Sequence, residues 1–424
     1  MAITPATIFS ILGNPNSLIP LAVKDISATA GMTAGSFVTG KEEGQDRLID
    51  ELGTEIIWLL GIPLFKWLFN STVFKAFGLD SKFDPRNLKD KDVFEKIKQH
   101  SPDEEIKQNI EKIGKKQNLF KNTVSTRFVV STAMAIGSYI MLTKFKQQYT
   151  ENKIRQNLID EYNKEQEVKR LNSDNKNVSF KGIGPMVEKF AFSPVRNMWI
   201  LDGAITAERL KDSRSPQEFI GYAIKEASTL TFMYYAGGKI QELLEKHSNK
   251  KYNKSIGLDA RVIEEGLLKQ AFEDGSVQKS LEEFKSANKT NADLYEFLHT
   301  NPENLIVKTA KQSYIISLYK NTDKIDTRKY IDLEDVKDIH NKIETLYKQY
   351  KEALSKGETS DKFFSGVKKL KRSSIIANIG SCIMALGVIT PAIMLAKRMF
   401  MHDDTEFQTK KEIREQLIQE GIIA

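Results

Sequence analysis

SSIIANIGSCIMALGVITPAIMLA, from Ser373 to Ala396, is a run of 24 residues without a charged side chain, and how it is read decides the fold. Lys368, Lys369, Lys371 and Arg372 precede it, and Lys397 and Arg398 follow. At ~1.5 Å rise per residue the run reaches about 36 Å as a helix, enough to cross a ~30 Å hydrocarbon core with some tilt. Cations at either end can extend their stems and seat their charges among headgroups. We therefore read it as a membrane span rather than the buried central helix of a large soluble bundle.

Two further apolar stretches follow the same logic. Ile56–Phe74, IIWLLGIPLFKWLFNSTVF, holds a single charge, Lys66. Pro63 predicts a kink by removing a backbone donor, and Trp58 and Trp67 suit interfacial depths. Phe128–Thr143 offers 16 uncharged residues between Arg127 and Lys144. At about 24 Å of helix it needs snorkelling flanks to complete a crossing. Phe219–Gly238 is again apolar, but Lys225 and Glu226 interrupt it. No segment alternates as a strand would, so the chain reads as all-α, an integral membrane protein with two to four transmembrane helices and a large polar helical portion.

Composition agrees with a mixed character. Charged residues make up 28% of the 424, which is polar for a chain living mostly in lipid. The net charge of +7 is uneven: residues 1–55 carry three basic and seven acidic side chains, so everything after them is strongly basic. A basic body suits an anionic leaflet. No aromatic-interleaved basic patch marks a nucleic-acid module, so no nucleic-acid partner is expected. Cys382, the single cysteine, lies inside the apolar run and excludes an intramolecular disulfide. The Lys- and Asn-rich composition points to a bacterial chain, hence a bacterial inner membrane.

In order, residues 1–44 read as an apolar, irregular lead-in broken by Pro5, Gly13, Pro15 and Pro20. Residues 45–161 form a first membrane unit ending in an amphipathic tail helix. A connector with short helices spans 162–215, and a second unit, 216–424, contains a water-facing helical insert at about 258–371. Ser101-Pro102-Asp103-Glu104 reads as a helix start capped by serine. Val336, Ile339, Ile343, Leu346 and Tyr350 step 3, 4, 3, 4 and predict a packed helix. The amphipathic tails, Asn152–Glu161 and Lys411–Glu420, can pair with each other, bind a partner or lie on lipid.

The chain also resembles itself. Asp25-x-x-x-Thr29-Ala30 recurs as Asp202-x-x-x-Thr206-Ala207, and Glu55 corresponds to Glu226. Gly78-Leu79-Asp80 recurs as Gly257-Leu258-Asp259, and Ile140-Met141-Leu142-x-Lys144 as Ile393-Met394-Leu395-x-Lys397. Ile154-Arg155-x-x-Leu158-Ile159-x-Glu161 recurs as Ile413-Arg414-x-x-Leu417-Ile418-x-Glu420. Five matches in one order suggest a tandem two-span repeat, and two crossings per unit would give both copies the same orientation.

For chemistry the sequence offers little. His100, His247, His299, His340 and His402 are scattered, with no pair spaced to hold a metal on one helix face. There is no nucleophile elbow, P-loop or zinc-protease motif, so no catalytic residue, cofactor or metal is expected. Gly182-x-Gly184 lacks the strand and third glycine of a nucleotide fingerprint. What stands out is charge in apolar surroundings: Glu55, Lys66, Lys225 and Glu226 as a candidate intramembrane polar site, with Asp25 and Asp202 drawn in by the repeat. Lys225 and Glu226 are adjacent, point about 100° apart on a helix and need separate environments. The expected function is a non-enzymatic membrane scaffold or anchor presenting basic amphipathic helices, with lipid, a protein partner or self-association as its contacts. A transporter or channel of two same-orientation repeats is the alternative, and a soluble helical protein that hides its span until triggered is a third.

Overall fold

The computed structural model describes residues 5–14, 17–165, 194–211, 213, 216–320, 322–401 and 405–423. Gly182, Gly184 and His402 lie outside them. Among the described residues every regular element is helical, apart from one isolated bridge between Leu318 and Ile325.

The first half opens with α1 (Pro5–Gly13) and α2 (Leu18–Thr39), so the lead-in is helical rather than irregular. Ser17 caps α2 by accepting from the Ile19 amide, and Pro20 falls in its first turn, where a missing N–H breaks no helical bond. Then come α3 (Lys41–Ile56), α4 (Ile62–Phe69) and α5 (Lys75–Phe77), joined end to end through the π turns Ile57–Gly61 and Asn70–Phe74. α6 (Lys91–Gln99) and α7 (Glu104–Lys115) are short. α8 (Gln117–Glu165) runs unbroken for 49 residues. The cap of α7 is Asp103, whose carboxylate accepts from the Ile106 amide at 2.8 Å. Ser101, the expected cap, donates instead to the Ile97 carbonyl.

The second half carries a longer insert. α9 (Pro194–Lys211) is a full 18-residue helix inside the expected connector. α10 (Pro216–Leu230) continues through the π turn Thr231–Ala236 into α11 (Gly237–Tyr252). The insert holds α12 (Ala260–Glu264), α13 (Leu267–Glu273), α14 (Ser276–Ala287), α15 (Asn291–Thr300), α16 (Leu305–Gln312) and α17 (Leu333–Ser355). α18 (Ser360–Met384), the π turn Ala385–Ile389 and α19 (Thr390–Met401) carry the Ser373–Ala396 run, and α20 (Thr405–Gln419) closes the chain.

Pro63 and Pro391 each lie two residues beyond a π turn. Proline cannot donate to, and crowds, the carbonyl four residues back, so the extra residue in the turn makes room for it. For Pro391 that carbonyl belongs to Gly387, and α2 crosses there. A Cβ on Gly31 would lie 2.1 Å from the Gly387 oxygen, so only glycine permits the approach.

Among the described residues, three helical stretches are long and apolar enough to cross a membrane: Gly44–Phe77, Gln117–Asp160 and Ser360–Lys397. Only 11%, 33% and 39% of their apolar windows are buried inside the protein, so packing leaves most of that surface outward. Leu60, Leu64, Trp67, Met141, Ile376 and Val388 are among the exposed side chains. Trp58, expected at an interface, is instead buried with Leu21, Tyr139 and Met233 in an inner core.

α3 and α4 pack along α8, and α10 and α11 pack along the α18–α19 rod. The leading helices cross over: α2 lies on the α18–α19 rod of the second half, and α9 lies on α8 of the first. The two inserts share one apolar lobe, in which Phe83, Ile97 and Ile113 join a core with Val277, Ile343 and Phe363. The first half's polar insert is therefore part of the lobe expected from the second alone. The tails pair with each other, Ile154 and Leu158 against Ile413 and Leu417, with Arg155 bonded to Glu420.

Candidate functional site

Charge placed inside this apolar assembly has to be satisfied locally, because water there is scarce. On α3, Arg47, Asp50, Glu51, Thr54 and Glu55 recur at steps of three and four and so share a face. α9 presents Asp202, Thr206 and Arg209 in the same way, α10 presents Lys225 and Glu226, and α2 presents Asp25 and Thr29. Where these faces meet lies a small cavity with room for no more than a few waters.

Arg209 organises one wall. It is buried, and its planar guanidinium reaches three other helices. Nε donates to the Tyr139 hydroxyl on α8 at 3.0 Å, Nη2 to Asp50 on α3 at 3.2 Å and to Thr54 at 3.1 Å, and Nη1 to Glu226 on α10. Lys225 donates to both oxygens of Glu51, at 2.6 and 2.8 Å. Lys146 on α8 lies 3.6 Å from Asp50, and Arg47 lies 3.4 Å from Glu51. Most of these pairs join one half of the chain to the other.

The opposite wall is acidic. Thr29 Oγ1 donates to Glu55 at 3.2 Å, and in the second half Thr206 Oγ1 donates to Glu226, also at 3.2 Å. Asp202 accepts from the Tyr234 hydroxyl. Asp25, one turn before Thr29 on α2, lines the same cavity as Glu55. Glu55 is 6% exposed, and its Oε2 has no hydrogen-bond donor. Of the cavity lining, five residues are acidic (Asp25, Glu51, Glu55, Asp202 and Glu226) and two are cationic (Arg209 and Lys225), an excess of three negative charges if all are ionised. Such a lining can hold or pass a proton or small cation. Its amine and guanidinium groups are already engaged by carboxylates.

The structure therefore brings Asp25, Glu55, Asp202, Lys225 and Glu226 to one cavity. Lys225 and Glu226 do not have the separate environments expected: Lys225 bonds Glu51 and Glu226 bonds Arg209, but the two also lie 3.4 Å apart in one network. Lys66 does not belong: it lies eleven residues beyond Glu55, about 16 Å along the helix, beside Arg127 rather than the cavity. Arg127 itself donates to Asn70 and to the Ser81 carbonyl. Asp50, Arg209 and Tyr139 were not singled out from sequence. The signal that could have found Asp50 is the three-and-four spacing from Arg47 to Glu55 along α3.

The histidines are less scattered than their spacing implied. His100 and His299 stack with ring centroids 4.4 Å apart in the lobe, and His340 is buried against Phe284. Among the described residues no three His, Cys, Asp or Glu side chains are grouped to hold a metal. No protein-family model, curated protein or solved structure matches the chain.

Proposed function

We propose that the protein is an integral membrane transporter or channel made of two same-orientation repeats, with a path for a proton or small cation at their junction. The observation that carries this is the convergence of Asp25, Thr29 and Glu55 with Asp202 and the Thr206-bonded Glu226 on one acid-rich cavity. Ionised groups at membrane depth are costly and usually serve a polar path. The excess of acids over cations in the lining favours a positive passenger.

A duplication is supported beyond the site. Asp80 accepts from the Lys82 amide and Asp259 from the Arg261 amide, each at 2.8 Å, and Leu79 and Leu258 are both buried beside them. The crossed packing of α2 and α9, each on the other half's long helix, is what two intertwined copies would produce. The outward apolar flanks of the three long helices would face lipid, and the lobe would face water.

An anchoring scaffold is the second reading, favoured by the large lobe and the basic charge after residue 55. The test begins with carbonate-washed membranes, where the protein should stay in the pellet; release into the soluble fraction would remove both readings. Purified protein in vesicles should then pass protons or small cations. Glu55→Gln with Glu226→Gln should lower that flux at least tenfold. Membrane-bound protein that moves no cation would leave the scaffold.

A further inference from the structure

The two matched acids, Glu55 and Glu226, occupy different electrostatic surroundings. Glu226 is held by Arg209 and Thr206, and the Lys225 ammonium lies 3.4 Å from it. Arg209 stands seven residues after Asp202, and Lys225 immediately precedes Glu226. At the equivalent places in the first half stand Met32, seven after Asp25, and Thr54, immediately before Glu55. The first half thus lacks both cations that neutralise the second.

Glu55 has instead the Thr29 hydroxyl on one oxygen, no donor among the described residues on the other, and Asp25 lining the same cavity. Around the pair stand Glu51 on α3, Asp202 and Arg209 on α9, and Lys225 and Glu226 on α10. Of these, Lys225 is engaged by Glu51, and Arg209 by Asp50 and Glu226. Two such carboxyls with no cation of their own cannot both be ionised in a low-dielectric site.

We infer that Asp25 and Glu55 together hold one exchangeable proton, and that Glu226 is a fixed counterion. This rests on the transport reading, in which the proton enters from water, sits on one carboxyl while hydrogen-bonding the other, and leaves to water on the far side. No other reactant is required.

Infrared difference spectra of the full chain in vesicles test the proton directly, through the stretch of a protonated carboxyl near neutral pH. Glu55→Gln and Asp25→Asn should each abolish that band. Glu55→Asp should keep it at a shifted position, and Glu226→Gln should keep it unshifted. A band that survives both Glu55→Gln and Asp25→Asn, or that only Glu226→Gln removes, would overturn the inference. Proton uptake driven by a membrane potential is the second arm, with Glu334→Gln, on the lobe, as control. Uptake should fall at least tenfold in Glu55→Gln and be unaltered in the control. A band without uptake would uphold the shared proton and remove the transport reading. Cation flux that needs sodium and shows no band would do the reverse. Absence of both would remove both.

Discussion

Arg209 is the residue on which the most interactions converge, and its loss should be felt accordingly. Arg209→Met would leave Asp50 and Glu226 buried without their shared cation, an effect of about 3–5 kcal/mol for a buried pair broken on one side. A clear fall in the detergent melting temperature is expected, with a smaller one for Arg209→Lys, which keeps the charge but loses the fork that meets three helices at once. An unchanged melting temperature would mean that the network is not structural. In the lobe, His299 offers a test by pH. Burial first, then the neighbouring His100, lowers its pKa to about 3; Lys311 adds to this and Glu296 opposes it. The folded state keeps the ring neutral, while the unfolded chain takes up a proton below about pH 6.5. Stability is thus complete above about 6.5 and declines as pH falls towards 3, by at most ~1.4 kcal/mol per pH unit. Replacing His299 by Phe should flatten that slope in unfolding curves collected between pH 4 and 7.

Among elements, the crossing of α2 over the π turn at Ala385–Ile389 sets the sharpest steric condition. Gly31→Ala would put a methyl 2.1 Å from the Gly387 oxygen and 2.9 Å from Pro391, so backbone must move, at about 1–3 kcal/mol. Gly35→Ala on the same helix meets Pro391 at an ordinary 3.9 Å and should be neutral or slightly stabilising. Equal melting temperatures for the two variants would show that the crossing relaxes freely. The elements themselves were largely legible. Apolar runs, caps and three-and-four spacing located the long helices and the face of α17, where Val336, Ile339, Ile343, Leu346 and Tyr350 are all buried. The helicity of α2 was hidden by Pro20 and its glycines, which packing on α3, α18 and α19 reconciles with a helix. Glu55, Lys225 and Glu226 stood out because apolar residues surround them in sequence. Asp50 and Lys146 did not, since charged neighbours conceal which side chain turns inward. Lys66 looked equivalent to Glu55, but its position along the same rod carries it away from the cavity.

For the molecule as a whole, the crossed leading helices, the ion pairs between halves, the shared lobe and the paired tails make the two halves one body. A chain split between residues 165 and 194 should therefore reassemble when both pieces are expressed together. A tag on the first piece is expected to recover the second in equal amount, and each piece alone should be degraded or aggregate. Stable, separately folded pieces that fail to co-purify would contradict this interdependence. Sequence could not show it: the contacts join residues hundreds of positions apart, and no local pattern records which half's long helix a leading helix will choose.

That choice also has a timetable. About 350 residues separate the end of α2 from the π turn it must meet, which at roughly 5–20 residues per second is about 20–70 s of synthesis. Throughout that interval the ribosome has released a helix bearing Lys24 and Asp25 that can pack on α3 but not yet on the rod it crosses. The face of α2 that meets the rod stays uncovered until the last rod arrives. A ribosome stalled before residue 385 would leave that face of α2, though made early, open to proteases.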